Sequence, residues 1–346
     1  MIDYSLLTPL GWTPFFQQQL DFEQFEQNVG ARVIAQHRSQ LIAFTGEDDV
    51  VIPITPNMPA IVVGDWLLLD KDNHYVALLE RQSSFARKAP GSKLEKQHIA
   101  ANVNTAFVMM SLNNDFNLSR LERFLALGNE AHVDTVVLLT KADLVSDYQQ
   151  NLASVHALAS VEHVFVINCL DSSDVEQLLP WLQPGNTAVL LGSSGVGKST
   201  LTNTLTQSFS QKTGGIREDD SKGRHTTTSR ALVKLPGGAW LLDTPGMREI
   251  QLVDSQEGIE TTFADIARLA ASCKFVNCSH SNEPGCKVQQ ALQDGEIDER
   301  RLNNYFKLLR EEQRNSATMA QKRADDKALG KYYKRTQQTA KKLKGR

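Results

Sequence analysis

The feature that most constrains this chain is a glycine-rich segment, Gly192–Ser199, which fits the pattern GxxxxGK[ST] at every required position. Backbone N–H groups can wrap around phosphate oxygens only where glycines leave room, so the pattern is typical of a phosphate-binding loop. The apolar run TAVLL precedes the segment, and KSTLTNTL follows it as the start of a helix. This strand–loop–helix order predicts an α/β domain with a site for nucleotide phosphates.

The residue types within this loop predict individual roles. Lys198 is expected to reach the β- and γ-phosphates and to take part in catalysis, and Ser199 is expected to bind Mg²⁺. The helix N-terminus adds further N–H donors for the anion. The residues predicted to line the phosphates are Gly192, Ser193, Ser194, Gly195, Val196, Gly197, Lys198, Ser199 and Thr200.

A second motif, TKAD at Thr140–Asp143, follows the apolar run TVVLL and fits the guanine-reading pattern [NT]KxD. The carboxylate of Asp143 matches the paired N1–H and N2–H₂ donors of guanine, whereas adenine would leave that carboxylate unpaired. Lys141 would lie along the base, with Ala142 between them. Thr140 replaces an Asn whose amide usually braces the phosphate loop, so we expect only modest guanine affinity. Taken alone, TKAD could also be a solvated turn. After a later strand, Asn168 and Cys169 mark where a backbone N–H would meet guanine O6.

A third motif, DTPG at 243–246, follows the run AWLL and fits the pattern DxxG. In this pattern Asp243 holds Mg²⁺ through water, and the N–H of Gly246 senses the γ-phosphate. Many GTPases place a Gln next, to orient the attacking water, but this chain has Met247, whose thioether cannot do so. The water must then be positioned by another group.

The best candidate for that group is His225, in the stretch GRHTTT between the phosphate loop and DxxG. A neutral imidazole can accept a proton or a hydrogen bond from water near pH 7. The alternative is that His225 only contacts phosphate or a partner RNA. One of the threonines that follow is expected to be the second Mg²⁺ ligand, and we choose Thr227.

The order of the motifs is circularly permuted, because TKAD at 140 precedes the phosphate loop at 192. The cyclic order is unchanged, which the fold tolerates since the termini of a compact domain often lie close together. The chain therefore leaves the nucleotide domain just after DTPG. Nucleotide state could then act directly on the region that follows.

A cluster near the C-terminus, Cys273, Cys278, His280 and Cys286, has the spacing C-x4-C-x-H-x5-C. Three thiolates and one imidazole form a closed four-ligand set typical of one structural Zn²⁺, with no open position for metal-based chemistry. The alternative is a group of ordinary buried cysteines, which is the role we expect for Cys169.

The N-terminal part predicts a small barrel. Residues 1–29 are Gln-rich and indicate a helical or loose arm, and five short β-rich runs then alternate with turn residues up to Glu80. Such spacing is typical of an OB-like or SH3-like barrel, between which strand count cannot decide, and the barrel could be only a packing module. The basic segment Ser83–Gln97 is predicted to be a linker. The expected divisions are 1–29 arm, 30–97 barrel and linker, 98–253 nucleotide domain, 254–313 zinc-binding helical domain and 314–346 basic tail.

From about His98 to Val253, nearly continuous apolar runs alternate with helical patterns such as LSRLERFLALGNEA and DVEQLLPWL. This alternation predicts a mostly parallel sheet buried on both faces, in a three-layer α/β domain. The last 33 residues hold eleven Lys and Arg against two Asp, while the whole chain has a net charge of −3. A basic tail on an acidic body indicates a polyanionic partner.

The remaining sequence features concern compartment. The N-terminus has no basic stretch followed by an apolar run, and no apolar run approaches the roughly 18 residues of a membrane span. With only four clustered or isolated cysteines, a reducing compartment is indicated, so we expect a cytoplasmic monomer away from membranes.

Together, GSSGVGKST, GRHTTT, DTPG, TKAD in permuted order and CKFVNCSHSNEPGC resemble the motifs of the small-ribosomal-subunit-dependent GTPase A (RsgA) family, over about residues 30–310. The resemblance implies an OB-fold barrel, a permuted GTPase domain and a zinc-binding helical domain. It also implies binding of GTP and GDP, and slow GTP hydrolysis stimulated by the small ribosomal subunit. Contact with 16S rRNA, late subunit maturation and release of an assembly factor are implied as well. The family's proposed water-positioning histidine falls on His225. Gly195 stands where some related GTPases use Asn to hold K⁺, so the chain lacks that ligand.

Two rival functions stay open at this point. The chain could be a GTP-dependent binding module in which hydrolysis matters little, or a GTPase that acts on another RNA, such as the large subunit or tRNA. Turnover that does not rise with ribosomal subunits would favour the first, and co-sedimentation with separated subunits would decide the second.

Overall fold

Three short helices open the chain in the computed structural model, which describes residues 2–88, 96–113, 115–213, 230–243, 252, 255–281 and 283–316. They are α1 (Tyr4–Leu7), α2 (Pro14–Gln17) and α3 (Phe22–Gln27). The arm is helical rather than loose because Trp12 and Phe16 are buried. Trp12 meets Trp66 edge to face with ring centroids 4.9 Å apart, and Phe16 packs beside them.

Five antiparallel strands follow as a barrel: β1 (Val29–Gln36), β2 (Gln40–Phe44), β3 (Asp49–Pro53), β4 (Trp66–Leu69) and β5 (Tyr75–Leu78). β1 pairs with both β2 and β4, while β3 pairs with β2 and β5 with β4. The order β3-β2-β1-β4-β5 is that of an OB-fold barrel, which decides between the two predicted barrel types. Inward-facing residues such as Val33, Leu41 and Leu67 form its core.

The basic segment predicted to be a linker carries two further strands, β6 (Ser84–Lys88) and β7 (Lys96–Ala101), paired as an antiparallel hairpin. Phe85 of the basic stretch and Ile99 just after it are buried, so apolar side chains hold these strands against the body of the protein. β7 also runs beside the barrel, since Val63 forms a parallel bridge with Ala100. The predicted linker, Ser83–Gln97, therefore contains the paired strand β6 and the start of β7.

The nucleotide domain is a three-layer α/β structure, as predicted. Its elements are β8 (Thr105–Ser111), α4 (Leu118–Glu130), β9 (Asp134–Thr140), α5 (Gln149–His156), β10 (His163–Ile167), α6 (Ser172–Glu176), β11 (Thr187–Gly192), α7 (Lys198–Thr213), β12 (Arg230–Lys234) and β13 (Trp240–Asp243). The strands lie in the order β10-β9-β8-β11-β13-β12, all parallel except β12 at the edge. The expected helix over DVEQLLPWL stops at Glu176 and continues only as a 3₁₀ turn at Leu179–Trp181, because Pro180 has no N–H to donate.

The arm, the barrel and the nucleotide domain are joined by specific contacts. β1 pairs with β12, so the strands of the barrel and of the α/β sheet are continuous. Arg32 is buried and donates to the backbone carbonyls of Leu10 and Asn102. Burial lowers the pKa of Arg32 to about 9. The indole N–H of Trp240 donates to the carbonyl of Pro9 at 3.2 Å, which ties the arm to the edge of the nucleotide domain.

The C-terminal region is helical, with α8 (Gln256–Thr262), α9 (Ala264–Ala271), α10 (Lys287–Gln293) and α11 (Glu299–Ser316). These helices pack on α4 through a shared apolar core. Beside that core, the buried carboxylate of Glu122 on α4 accepts hydrogen bonds from Arg300 and Arg301 of α11. Within the ranges given above, no helix is both long and apolar enough to cross a bilayer.

Candidate functional site

The phosphate loop has a conformation that its glycines make possible. Gly192 has φ of 152°, and a Cβ there would lie 2.7 Å from the carbonyl oxygen of Met109. Gly197 has φ of 110°, and a Cβ there would lie 3.3 Å from Sγ of Cys169. Larger residues would strain or displace the loop, so its shape follows directly from the sequence pattern.

Lys198 lies over the first two residues of the loop. Its Nζ donates to the carbonyl oxygens of Gly192 at 2.7 Å and Ser193 at 2.5 Å. The ammonium group is thereby held above the loop while α7 begins behind it. Ser199, in the same first turn, is exposed at the site. Phosphate binding by Lys198 and magnesium binding by Ser199 stay predictions.

The guanine motif is bonded directly to the phosphate loop. The hydroxyl of Thr140 donates to the carbonyl oxygen of Val196 at 2.7 Å, and both residues are buried. The sequence suggested that replacing Asn by Thr removes the brace between these segments. The hydroxyl supplies a brace of its own, and the expected modest guanine affinity stays a prediction.

The rest of the guanine motif lies on a tight turn after β9. Lys141 has a left-handed φ of 62° and precedes a 3₁₀ turn at Ala142–Leu144, which leaves Asp143 exposed at the edge of the sheet. Ile167 pairs with Thr140, so the loop after β10 begins at the same edge. The backbone N–H groups of that loop are the remaining candidates for guanine O6.

In that loop, the N–H of Asn168 donates to the carboxylate of Asp174 at 2.8 Å. The contact of Asn168 or Cys169 with guanine O6 stays a prediction. The side chain of Cys169 is buried in the core beneath the phosphate loop, as predicted for a core thiol. Burial raises the pKa of Cys169 to about 11, so the thiol is neutral at physiological pH.

The DxxG motif begins at the same edge, since Asp243 ends β13 and Leu242 pairs with Val189 of β11. The residues Gly246, His225 and Thr227 lie outside the described residues, as does the side chain of Asp243. Their roles in binding magnesium, sensing the γ-phosphate and positioning water stay predictions.

The cysteine and histidine cluster is assembled as a compact set whose four ligand atoms all lie within 4.8 Å of one another. Nδ1 of His280 is 3.5 Å from Sγ of Cys273 and 3.6 Å from Sγ of Cys286, and these two sulfurs are 3.9 Å apart. Tetrahedral zinc with typical bond lengths requires sulfur–sulfur separations of about 3.8 Å. Cys278 is the fourth member, so the residues fit one structural zinc ion.

Backbone donors support the same cluster. The N–H of Lys287 points to Sγ of Cys273 at 3.3 Å, and that of Gln289 points to Sγ of Cys286 at 3.4 Å. Such N–H groups orient thiolates and stabilise their negative charge. Gln289 also donates to the carbonyl of His280 at 2.6 Å, which fixes the turn that presents the imidazole.

One residue beside the phosphate loop was missed by the sequence reasoning. Arg120, in the first turn of α4, donates to the hydroxyl of Ser193 at 3.1 Å and to the carboxylate of Asp115 at 2.8 Å. The sequence position of Arg120, shortly after β8, could have indicated this contact. β8 is parallel and adjacent to β11, the strand that leads into the phosphate loop. Residues that follow neighbouring parallel strands meet at one edge of the sheet.

The strand order and the permuted motifs define a circularly permuted P-loop GTPase fold. Two solved structures share it. The crystal structure of YjeQ from Thermotoga maritima has a TM-score of 0.62 and 23% identity, and covers 82% of this chain and 99% of that one. The structure of YloQ, described as a circularly permuted GTPase, has a TM-score of 0.60 and 23% identity, and covers 86% of this chain and 99% of that one.

The amino-acid sequence identifies the family within this fold. The RsgA GTPase family model matches residues 78–253. The small ribosomal subunit biogenesis GTPase RsgA 2 of Vibrio vulnificus is 51% identical over 98% of this chain and 97% of its own length. RsgA of Mesorhizobium japonicum is 42% identical over 94% of this chain and 95% of its own. The chain therefore belongs to the RsgA GTPase family and is a GTP hydrolase.

Proposed function

We propose that the chain hydrolyses GTP during late maturation of the small ribosomal subunit, with 16S rRNA as its main contact on the particle. The observation that carries this proposal is the similarity along nearly the whole chain to relatives named small ribosomal subunit biogenesis GTPases. Similarity of this extent includes the barrel and the C-terminal helices, which hydrolysis alone does not require. The chain would act in the cytoplasm, where small subunits are assembled.

The nucleotide chemistry follows from the site. The N–H groups of the loop cradle the phosphates, Lys198 neutralises the β- and γ-phosphates, and Asp143 reads guanine. GTPases of this class use GTP with magnesium. Ser199 and Thr227 would hold the ion directly and Asp243 through water. Gly246 would sense the γ-phosphate.

Water activation is assigned to His225, since Met247 has no group able to orient water. A histidine that positions water only when the chain is bound to the subunit would give slow intrinsic turnover. Binding to the subunit would then stimulate hydrolysis. The alternative, in which His225 contacts phosphate or RNA and a ribosomal group positions the water, predicts the same stimulation but a different effect of mutation.

A basic surface on α11 supports contact with rRNA. Lys307, Arg310 and Arg314 are exposed and lie three and four residues apart, so they share one face of the helix. With Arg123 of α4 they border a cleft of about 880 Å³, where Glu311 pairs with Arg123. Four positively charged side chains and one carboxylate at this cleft favour binding of a polyanion such as the phosphate backbone of RNA. The basic residues of the tail that follow Ser316 would extend the same contact.

The zinc-binding helices are proposed to transmit the nucleotide state to the particle. α8 is the first helix after DxxG along the chain, so a change at the γ-phosphate would act on the C-terminal region first. Zinc would stabilise this region as a rigid unit without taking part in the chemistry. Its movement on hydrolysis would release the chain, or an assembly factor, from the nearly mature subunit.

The test is co-sedimentation with separated small and large subunits at several salt concentrations, with a non-hydrolysable GTP analogue or with GDP. We expect binding to the small subunit that is tighter with the analogue. Deleting residues 317–346 should weaken binding, and so should replacing Lys307, Arg310 and Arg314 by alanine. Each lost phosphate contact should lower the slope of log K against log salt by about 0.7–0.9.

Arg268→Ala is the matched control, because Arg268 is exposed on α9 and does not border the basic cleft. It should leave the salt slope unchanged. Equal binding to large subunits would favour the rival function on another RNA. Binding that ignores the nucleotide would contradict the proposed coupling between GTP and the particle.

A further inference from the structure

We infer that Arg120 is a positioning residue for GTP hydrolysis, which holds the phosphate loop in place and links it through α4 to α11. The inference rests on the assignment of Gly192–Ser199 as the phosphate-binding loop. It is independent of the ribosomal partner, since every residue involved lies within the chain. It also gives the C-terminal helices a connection to the nucleotide that does not pass through DxxG.

Arg120 contacts the phosphate loop directly. Nη1 of Arg120 is 3.1 Å from the hydroxyl of Ser193 and 2.8 Å from the carboxylate of Asp115. The backbone of Arg120 is also fixed, because its N–H donates to the side chain of Asn117, the N-cap of α4. The guanidinium group therefore reaches Ser193 from the capped first turn of a helix, which limits its freedom to move.

The contact between Arg120 and Ser193 lies beside the lysine of the phosphate loop. Nζ of Lys198 lies on the carbonyl oxygens of Gly192 and Ser193. The lysine of such a loop reaches the β- and γ-phosphates. Arg120 thus acts, through Ser193, on the end of the site where the bond to the γ-phosphate is broken. The guanine turn at Thr140–Asp143 lies on the other side of the loop, where Val196 is its contact.

The opposite face of α4 contacts α11 through Glu122. Glu122 follows Arg120 by two residues, a rotation of about 200° around the helix, so its side chain leads away from the loop. Its carboxylate is fully buried and accepts four hydrogen bonds. Arg300 donates at 3.0 and 3.1 Å, Arg301 at 2.8 Å and Asn304 at 2.6 Å.

A buried carboxylate held by two arginines and an amide cannot part from them without leaving charges unpaired. Helices α4 and α11 must therefore move together. A shift of Ser193 on binding or losing the γ-phosphate would pass through Arg120 to α4, and from Glu122 to α11. Because α11 also carries the basic surface of Lys307, Arg310 and Arg314, this path ends at the face proposed to meet RNA.

Kinetics of the full chain, without ribosomal subunits, test the positioning role. Arg120→Ala and Ser193→Ala should each lower kcat at least about tenfold, while GDP affinity changes less than about threefold. Arg120→Lys should restore part of kcat, since it retains the charge. The double variant should be no slower than either single one, because both remove the same contact. Arg268→Ala, an exposed arginine away from the loop, should match the parent.

Equal losses of GDP and GTP-analogue affinity would indicate a structural role and overturn the inference. Additive effects of Arg120→Ala and Ser193→Ala would overturn it as well, and so would unchanged turnover in both.

Hydrogen–deuterium exchange tests the link to α11. In the parent chain, the amides of residues 299–312 should exchange at different rates with the GTP analogue and with GDP. Arg120→Ala should remove this difference while the fold persists. A difference that survives in Arg120→Ala would show that α4 does not carry the signal. These assays contain no RNA, so their failure is distinct from failure of small-subunit binding.

Discussion

The hydroxyl of Thr140 donates a hydrogen bond to the carbonyl oxygen of Val196 at 2.7 Å, across a sequence separation of 56 positions. Thr140 begins the guanine motif and Val196 lies in the phosphate loop. Both are buried, so this bond is shielded from competing water. The guanine motif and the phosphate loop are therefore fixed relative to each other, although the chain lacks the amide usual at this position.

Thr140→Val should show what this bond contributes, because valine keeps the shape of threonine and removes only the hydroxyl. It leaves the buried carbonyl of Val196 without its donor, at a cost of about 1–3 kcal/mol in unfolding free energy. GDP should bind about five- to tenfold more weakly as the loop loses its brace. Thr140→Ser keeps the hydroxyl and is the control. Equal GDP affinity in the valine and serine variants would show that the bond is unimportant for binding.

Nucleotide choice should depend on Asp143. GDP should bind the parent chain at least about 2 kcal/mol more tightly than ADP, which is more than tenfold, because adenine cannot donate to the carboxylate as guanine does. Asp143→Ala should abolish the preference while leaving the phosphate loop intact. Competition of GDP and ADP for a fluorescent guanine nucleotide measures this. Comparable affinities in the parent chain would contradict the assignment.

Metal analysis tests the cluster at Cys273, Cys278, His280 and Cys286. The purified chain should hold about one zinc ion, and Cys278→Ser should lower that content. The variant should be cleaved faster by protease within residues 255–316, with GDP binding largely retained. Cys169→Ala, which removes a cysteine outside the cluster, should keep its zinc. A zinc-free parent chain whose C-terminal region still resists protease would be incompatible with a structural metal.

The buried carboxylate of Glu122 should matter far more for stability than an exposed one that uses the same partner. Glu122→Gln removes the charge that compensates Arg300 and Arg301, and should lower the free energy of unfolding by about 3–5 kcal/mol. Asp298, which is 59% exposed, also pairs with Arg300, and Asp298→Asn should cost less than about 1 kcal/mol. Chemical denaturation of both variants gives the comparison. Similar losses would mean that burial does not set the strength of this network.

The parts of the fold that follow from local patterns could be predicted from the sequence. Glycines and lysine at fixed spacing define the phosphate loop, and continuous apolar runs define the strands that hold it. The permutation was predictable because it requires only the order of these motifs. The five barrel strands were also predictable, since short β-rich runs alternate with turn residues.

The features that were missed depend on partners distant in the sequence. Arg120 meets Ser193 across 73 positions, and Glu122 meets Arg301 across 179. A charged residue in an amphipathic helix normally faces water, so nothing local shows that Glu122 is buried. The basic residues around β6 and β7 indicate a linker, and no local pattern shows that Phe85 is buried. The brace from Thr140 likewise depends on where its hydroxyl points in the folded chain.

The most direct test of the proposed function is GTP turnover by the full chain alone, with purified small subunits and with purified large subunits. We predict slow turnover alone, a clear increase with small subunits and little change with large ones. His225→Ala should keep GTP binding but lose the stimulated turnover by roughly 10² or more if the imidazole positions water. If turnover of the parent chain were unchanged by small subunits, hydrolysis would not be coupled to the particle, and the proposed role would be contradicted.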